Sequence, residues 1–578
     1  MDRRAFIGVT TAAAAGLLVD WRDAWAQAPH GGPGATVETT AGKVRGLLID
    51  RIHAFKGVPY GASTAGARRF LPPVKVEPWT GVRDAFEVGL RSPLIDSVLV
   101  PEWVPLNRRE PMGEDCLNLN LWTPGATKSG RRPVMVWLHG GGYAAGSPNM
   151  IPYDGANLAL KHDVVVISIT HRLNVFGFAY LAELGGDRFA QASNAGMKDI
   201  IAGLEWIRDN VASFGGDPGN VTIFGQSGGA GKVSTLLGMP AAQGLFHRAI
   251  AQSGSAVASM PATVATQNAE AFMGRLGLKS SEVDALQKLP MEQLLGALAP
   301  RNGAGREGGV PSAAAALGGQ GGGAPGTARG RGRAAPGGFT GGGFAASPVV
   351  DGTSLPHDVF NPAATRISQN VPLLIGSTET EVTWNVNTDY TVPADEAALR
   401  ERIKRTLRID DAQADKVLAI YRKGRPKASH LDLALIVETD ASPFRSGTDT
   451  EAERKAALGK APVYMYRFQW YSPVGGGRLR AMHCMDIPFV FANVDVSKSV
   501  VGDGPERYAL ADKMSTAWVS FARTGNPNTR LLPKWEPFSA EKRATMIFNN
   551  ECRAANDPYR DERFAIAAAQ RLLPTTEG

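Results

Sequence analysis

The stretch V-T-I-F-G-Q-S-G-G, residues 221–229, decides the fold class of this 578-residue chain. Its first four residues are typical of a buried strand, and residues 232–237 after it are compatible with a helix. A serine in a G-x-S-x-G turn between a strand and a helix is exposed at the carboxyl end of a sheet. The flanking glycines avoid clashes with the neighbouring strand and helix. The glycine spacing does not match the phosphate-binding loops G-x-x-x-x-G-K-[ST] and G-x-G-x-x-G. The stretch therefore predicts an α/β fold with Ser227 as a nucleophile.

Strand-like runs and helix-like stretches alternate on both sides of this turn. Residues 198–214 have apolar side chains near a 3.6-residue period, which predicts an amphipathic helix that ends at residues 215–218. The strand-like runs outside the turn are residues 134–138, 164–169, 248–251, 372–375 and 463–469. Strands separated by helices favour a mostly parallel central sheet with helices on both faces.

A second glycine-rich motif, H-G-G-G-Y at residues 139–143, follows the strand-like run 134–138. Ester hydrolysis passes through a tetrahedral oxyanion, and glycine lets backbone N–H groups approach that oxyanion closely. We expect the N–H groups of Gly141, Gly142 and Gly228 to form the oxyanion hole.

A serine hydroxyl needs a general base, and in this fold class the chain order is serine, acid, histidine. Of the nine histidines, His357, His430 and His483 lie well downstream of Ser227. His483 follows a strand-like run and a glycine-rich turn, and a loop beyond a strand end is well placed to reach the serine. We interpret His483 as the base.

The acid is expected after another strand. Residues 372–375 lead into G-S-T-E-T-E at residues 376–381, which offers Glu379 and Glu381. Either carboxylate would orient His483 and stabilise its imidazolium without itself being protonated. The residue pattern alone leaves both glutamates open.

A series of ordered motifs resembles the type-B carboxylesterases, the cholinesterase-like branch of the α/β-hydrolase fold. The motifs are F-K-G-V-P-Y (55–60), R-F-L-P-P (69–73), E-D-C-L-N-L-N (114–120), F-G-G-D-P (214–218), G-Q-S-G-G (225–229), P-V-V-D-G (348–352), G-N-P (525–527) and W-E-P (535–537). The resemblance covers nearly the whole chain after its first residues, and it implies an α/β-hydrolase fold, a gorge-like site and no cofactor. It also implies Glu381, five residues after a strand-end glycine, as the acid and His483 as the base.

The sequence departs from the family pattern beside the candidate catalytic residues. Gln226 stands where the family usually has a glutamate, which argues against cationic, choline-like substrates. Val382 replaces the usual glycine after the acid, and Cys484 follows the histidine. The upstream partner in the family disulfide corresponds to Ser92 here, so the resemblance implies that Cys116 is unpaired.

We therefore predict a serine hydrolase that cleaves small-molecule carboxylic esters through an acyl-enzyme intermediate, without a cofactor or metal. One alternative is a non-catalytic binding protein, because a fold does not fix a function. Such relatives typically lose the nucleophile, whereas this chain keeps it. The other alternative is cleavage of related amides, carbamates or thioesters. Aromatic side chains that either line a hydrophobic substrate site or pack in the core are Tyr143, Trp384, Phe489 and Phe491.

The first 26 residues have the layout of a bacterial twin-arginine export signal. Arg3 and Arg4 precede a weakly apolar stretch, residues 7–19, and A-W-A at residues 24–26 is a candidate cleavage site. The alternatives are a general secretory signal and an ordinary N-terminal helix. We expect an exported protein, periplasmic or secreted. Its mature chain, residues 27–578, is expected to be a single domain without a stable membrane anchor, because it has no apolar run long enough to span a bilayer.

Residues 301–346 are almost wholly glycine, alanine, proline and arginine, which predicts a flexible surface insertion. Five arginines and one glutamate there account for much of the net charge of +7. No basic helix or interleaved aromatic pattern accompanies that charge, so we expect no nucleic-acid partner. A tether for an anionic partner is the alternative interpretation of the insertion.

Three cysteines without a C-x-x-C pair give neither a disulfide-stapled scaffold nor a zinc motif. The sequence leaves the oligomeric state open.

Overall fold

A large sheet forms the centre of the molecule, and helices pack on its two faces. The computed structural model describes residues 31–96, 99–108, 110–299, 339–341, 344–385 and 387–571. The strands are β1 (Gly32–Glu38), β2 (Lys43–Ile49), β3 (Ile52–Pro59), β4 (Val82–Asp84), β5 (Asn118–Thr123), β6 (Arg132–Leu138), β7 (Val165–Ile169), β8 (Gly216–Gln226), β9 (Arg248–Gln252), β10 (Met260–Pro261), β11 (Phe339–Gly341), β12 (Phe344–Ala346), β13 (Val349–Val350), β14 (Leu373–Thr378), β15 (Val463–Phe468), β16 (Ala544–Phe548) and β17 (Arg553–Asn556).

The α-helices are numbered in chain order among these described residues. They are α1 (Ala156–His162), α2 (Asn174–Phe178), α3 (Gly186–Phe189), α4 (Ala195–Asn210), α5 (Gly228–Leu236), α6 (Ala262–Arg275), α7 (Met291–Leu298), α8 (Glu396–Leu407), α9 (Asp411–Gly424), α10 (His430–Asp440), α11 (Pro443–Ala456), α12 (Ile487–Val490), α13 (Lys498–Val501), α14 (Glu506–Thr524) and α15 (Arg560–Arg571). Short 3₁₀ turns connect several of them.

The strand order is β1-β2-β3-β5-β7-β6-β8-β9-β14-β15-β16-β17, and β4 pairs with β2. The run from β7 to β16 is parallel throughout, and antiparallel strands extend the sheet at both ends. The predicted mostly parallel sheet is therefore confirmed. Each strand-like run predicted from the sequence lies in this sheet, as β6, β7, β9, β14 and β15.

The central strands bury side chains on both faces, which explains their near-continuous apolar runs. In β6, Val134, Val136 and Leu138 point into one hydrophobic cluster, together with the inner side of α4. Met135 and Trp137 alternate with them and point into the other cluster, where α14 packs. Helices on both faces, as predicted, follow from this alternation.

The helix predicted over residues 198–214 begins three residues earlier and ends in a different geometry. It is α4, and residues 211–214 continue as a 3₁₀ turn. Gly215 then adopts the left-handed conformation, with φ +82°, that a helix end favours. The apolar period located the helix correctly. It did not predict the 3₁₀ turn, because a 3.6-residue pattern of apolar side chains does not distinguish a 3₁₀ turn from an α-helical one.

Helices α8, α9, α10 and α15 pack on one another around a third hydrophobic cluster. The starts of α9 and α10 are fixed by capping boxes. At α9, Asp410 accepts from the backbone N–H of Gln413 at 2.8 Å, and Gln413 accepts from the backbone N–H of Asp410 at 3.1 Å. This helical layer lies beside the loop that follows β14, where the candidate acid is expected.

Two predictions fall wholly or partly outside the described residues. The export signal, residues 1–26, lies outside them, as do residues 301–338, 342 and 343 of the predicted insertion. In the described last part of that insertion, β11 pairs with β12 in antiparallel orientation. Within the described ranges, no helix is both long enough and apolar enough to cross a membrane.

Candidate active site

Strand β8 ends at Gln226 and helix α5 begins at Gly228, so Ser227 alone forms the turn between them. Its backbone has φ 58° and ψ −125°, a conformation that non-glycine residues rarely adopt. Two hydrogen bonds hold it there. Ser227 N–H donates to Gln252 C=O at 2.8 Å, and Gly231 N–H donates to Ser227 C=O at 3.0 Å. The predicted strand–serine–helix turn is therefore present, with strained backbone at the serine.

Glycine at position 229 lets this turn sit against the neighbouring strand. A Cβ on Gly229 would lie 1.9 Å from the carbonyl oxygen of Leu138, the last residue of β6. A Cβ on Gly225 would lie 2.5 Å from the backbone of Gly229. Both distances are far below van der Waals contact. Helix α5 can therefore begin this close to β6 only if positions 225 and 229 have no side chain.

The glycines of the H-G-G-G motif pack directly on the serine turn. A Cβ on Gly228 would lie 2.3 Å from Cα of Gly142, and one on Gly140 would lie 3.4 Å from Cβ of Ser227. Gly141 and Gly142 have φ of +90° and +63°. The structure thus brings Gly141, Gly142 and Gly228 together beside Ser227. In the described part of the chain, no acceptor takes their N–H groups.

A buried lysine forms a hydrogen bond to the first residue of the H-G-G-G motif. Lys232 in α5 has no exposed surface, and its Nζ donates to the carbonyl oxygen of His139 at 2.9 Å. Its ammonium also lies 5.7 Å from the ring centre of Tyr143. Among the described residues, no carboxylate forms an ion pair with it, and burial lowers the pKa of Lys232 to about 7. Sequence analysis missed this residue, although Lys232 is the only charged residue between Asp217 and His247.

His483 and Glu381 form a buried hydrogen bond. Nδ1 of His483 lies 2.5 Å from Oε2 of Glu381, and the side chains are 3% and 0% exposed. The other carboxylate oxygen, Oε1, accepts from the backbone N–H of Thr378 at 2.7 Å. Because Nδ1 faces the carboxylate, Nε2 is the ring nitrogen left for proton transfer.

The two groups shift each other's pKa in the direction expected of a charge pair. Burial acts to raise the pKa of Glu381, but the His483 charge and hydrogen bond outweigh it and hold that pKa below its ordinary value. Burial acts to lower the pKa of His483, but Cys484 and Glu381 outweigh it and raise that pKa above 6.5.

The Gln226 side chain lies against the His483 ring, and Cys484 contacts Gln226. The amide nitrogen of Gln226 lies 3.2 Å from Nε2 and 3.3 Å from Nδ1. Nearly equal distances to both nitrogens place the amide over the ring face instead of in the ring plane. The Cys484 thiol donates to Oε1 of Gln226 at 3.1 Å. The Ser227 hydroxyl makes no hydrogen bond to the ring in this structure, and such contacts commonly tighten only when substrate binds.

The other candidates from the sequence lie elsewhere. Glu379 accepts hydrogen bonds from Arg425 at 2.5 Å and Gln469 at 2.6 Å, so its carboxylate is engaged on the side of the helical layer. His430 lies 3.2 Å from Glu396, and His357 is exposed. Of these alternatives, none contacts the serine turn.

Of the aromatic side chains that the sequence offered for a substrate site, one lies near His483 and the others are buried in the core. The Trp384 ring centre lies 5.7 Å from that of His483, whereas Phe489 and Phe491 are fully buried in the core. Tyr143 is also buried, with its ring 5.1 Å from Phe178. A residue that the sequence did not indicate, Phe444 at the start of α11, lies closest, with its ring centre 4.4 Å from His483. No local pattern links Phe444 to His483, since packing alone brings them together.

All three cysteines are unpaired. Cys116 is fully buried, as expected for a position whose disulfide partner is replaced by Ser92. The Ser92 hydroxyl instead accepts from the backbone N–H of Leu173 at 3.0 Å. Within the described residues, no group of three or more histidine, cysteine, aspartate or glutamate side chains is arranged to hold a metal ion.

A model of the carboxylesterase family matches residues 33–567. The chain is 32% identical to the para-nitrobenzyl esterase of Bacillus subtilis (strain 168), over 93% of this chain and 98% of that protein. It is 33% identical to the phenmedipham hydrolase of Pseudarthrobacter oxydans, over 91% of this chain and 98% of that protein.

Solved structures are similar over the same length. The Geobacillus stearothermophilus carboxylesterase matches with a TM-score of 0.72 and 35% identity, covering 92% of this chain and 99% of that one. An esterase from Clostridium hathewayi, described as hydrolysing aliphatic aromatic polyesters, matches with a TM-score of 0.75 and 31% identity, covering 93% and 100%.

Proposed function

The chain belongs to the carboxylesterase family of the α/β-hydrolase fold and is a serine hydrolase of carboxylic esters, and we propose that Ser227, His483 and Glu381 are its catalytic residues. The buried hydrogen bond between His483 and Glu381, beside the strained turn at Ser227, carries this assignment. The backbone N–H groups of Gly141 and Gly142 are proposed as oxyanion donors together with that of Gly228.

The reaction follows from these positions. Nε2 of His483 takes the proton of the Ser227 hydroxyl as the serine oxygen attacks the ester carbonyl. The proton on Nδ1 stays there and keeps its hydrogen bond to the Glu381 carboxylate. The carbonyl oxygen becomes an oxyanion and accepts from the glycine N–H groups, which are already free. His483 then protonates the leaving alcohol, and the acyl-enzyme remains. Water attacks the acyl-enzyme with His483 again as base, which releases the carboxylic acid and restores Ser227.

The choice of Glu381 over Glu379 is tested by a matched pair of variants. We expect Glu381→Gln to lower kcat by about 10³- to 10⁴-fold, because the carboxylate no longer orients and stabilises the imidazolium. Glu379→Gln removes an equally buried charge two residues away and is expected to lower stability while leaving kcat of the folded fraction nearly unchanged. A loss of kcat in Glu379→Gln that equals the loss in Glu381→Gln would contradict the assignment.

The site favours neutral esters with an apolar or aromatic group. Trp384 and Phe444 present rings at His483, and Gln226 supplies no negative charge for a cationic substrate. The names of the relatives, para-nitrobenzyl esterase and a hydrolase of aliphatic aromatic polyesters, support this class. We expect cleavage of para-nitrophenyl esters with a clear preference over butyrylthiocholine. Faster cleavage of the choline ester would contradict this substrate class.

Export through the twin-arginine route is also part of the proposal. The support is the sequence of residues 1–26, with Arg3 and Arg4 before the apolar stretch. In a bacterial host with this pathway, we expect esterase activity in the periplasmic fraction. Replacing both arginines by lysine should retain the activity inside the cell. Export that persists in the double variant would instead indicate the general secretory route.

A further inference from the structure

A second cavity lies away from the candidate active site. It has a volume of about 270 Å³ and lies between α11, β15, β16 and α15. None of the residues proposed for catalysis lines it. Pockets for drug-sized ligands have volumes of about 300–1,000 Å³, so this cavity, just below that range, has room only for a ligand smaller than those.

Arg467 of β15 points into this cavity without a partner for its charge. The residue is 7% exposed, and its Nε is buried without a hydrogen-bond acceptor. Among the described residues, its guanidinium donates no hydrogen bond and no carboxylate lies within ion-pair distance. The nearest aromatic contact is the ring of Tyr559, whose centre lies 5.6 Å from Cζ.

The carboxylates that line the cavity are engaged by other arginines. These pairs are Asp440 with Arg445 at 2.9 Å, Asp449 with Arg543 at 3.5 Å, Glu453 also with Arg543, and Asp557 with Arg563 at 2.8 Å. Arg467 is therefore the buried arginine of this cavity that has neither a hydrogen bond nor a carboxylate within ion-pair distance in the described part of the chain.

A buried cation without a counter-charge is costly, since it loses its hydration and gains no partner. Burial, the larger cause, and the neighbouring Arg445 lower the pKa of Arg467, although Asp440 and Asp449 act in the opposite direction. An anion from solution would offset this cost. A planar guanidinium matches a carboxylate with two parallel hydrogen bonds. Apolar side chains complete the wall, namely Met465, Ile566 and Phe564.

We propose that this cavity binds a small organic carboxylate, with its carboxylate group on the guanidinium of Arg467 and its apolar part against Met465, Ile566 and Phe564. A single negative charge fits because the lining carboxylates already neutralise the other arginines, so a multiply charged anion would meet repulsion. This inference does not depend on the proposed function.

Such a carboxylate can come from a free acid, such as the product of an ester hydrolase.

Benzoate is the probe, and isothermal titration calorimetry on the whole chain is the measurement. We expect benzoate to bind the original chain, and Arg467→Gln to weaken that binding at least tenfold. Arg131→Gln, at an exposed position outside the cavity, is the matched control and should bind as the original chain does.

Two results would overturn the proposal. One is benzoate binding that is equally tight in Arg467→Gln, because the ligand would then occupy another site. The other is no binding of benzoate by the original chain. If Arg467→Gln does not fold, Arg467→Lys replaces it, because lysine keeps the positive charge but cannot form two parallel hydrogen bonds to a carboxylate. Several-fold weaker binding supports the proposal in that case, and unchanged affinity refutes it.

Discussion

Gln226 and Cys484, which both depart from the family pattern, are in contact with each other beside His483. Their side chains contact each other at 3.1 Å, and the Gln226 amide lies over the His483 ring. A neutral amide at this place leaves Glu381 as the carboxylate that contacts the ring. The pKa of His483 should therefore respond strongly to any charge introduced at position 226.

Gln226→Glu tests this arrangement through the pH dependence of kcat/KM. A carboxylate about 3 Å from the ring favours the imidazolium and should raise the pKa of His483 by about one unit or more. Since the base must be neutral, the acid limb of the profile is expected to move to higher pH. Gln226→Met, which adds no charge, should leave the limb in place. An unmoved limb in Gln226→Glu would contradict the geometry over the ring.

Lys232 holds the glycine loop that we propose to supply the oxyanion donors, and its burial lowers the stability of the fold. Lys232→Met removes the hydrogen bond to the His139 carbonyl, and we expect kcat to fall by about 10- to 100-fold, because misplaced oxyanion donors stabilise the transition state poorly. KM should change little. Equal effects on kcat and KM, or no effect on either, would show that Lys232 does not position the loop.

The same variant should be more stable than the original chain, with a defined pH dependence. Burial lowers the pKa of Lys232 from its ordinary 10.5 to about 7 in the folded state. Between these values the unfolded chain binds more protons, so the stability of the original chain rises with pH there. The gain in free energy of unfolding of Lys232→Met should be largest below about pH 7 and shrink toward pH 10. Urea unfolding at pH 6 and pH 9 measures this difference.

At the scale of elements, the serine turn depends on how closely β8, α5 and β6 approach one another. Gly229→Ala places a Cβ 1.9 Å from the Leu138 carbonyl, so we expect a loss of stability of about 1–3 kcal/mol or more. Gly274→Ala is the control, because it lies in α6 with no atom within 4 Å of its Cβ position. That substitution should stabilise by about 0.4–1 kcal/mol. Equal effects in thermal denaturation would contradict the close approach.

The elements that the sequence predicted are those with a strong local pattern. The apolar runs of β7 and β14 and the apolar period of α4 needed no long-range information. The antiparallel strands β1 to β3, and β4, which pairs parallel to β2, were not predicted as strands, because their mixed burial gives weak alternation. The tight 3₁₀ turn after α4 was also missed, since an apolar period does not distinguish it from an α-helical turn.

At the scale of the whole molecule, the candidate site combines what the sequence shows with what only packing creates. Ser227 and the glycine motif were readable because strand–turn–glycine patterns are local. Glu381 was separated from Glu379 by the family resemblance, and in the structure it is the one that contacts His483. Phe444 and the empty space before Arg467 arise from segments far apart in the chain, and no sequence pattern encodes such contacts.

The central claim is that Ser227 is the nucleophile of an ester hydrolase, and hydrolysis of para-nitrophenyl butyrate by the mature protein and by Ser227→Ala tests it most directly. Removal of the hydroxyl leaves the fold and oxyanion donors in place but prevents the acyl-enzyme, so we predict a fall in kcat of about 10⁴- to 10⁶-fold. Equal activity in the two proteins, or equal inactivity of two folded proteins, would contradict the account.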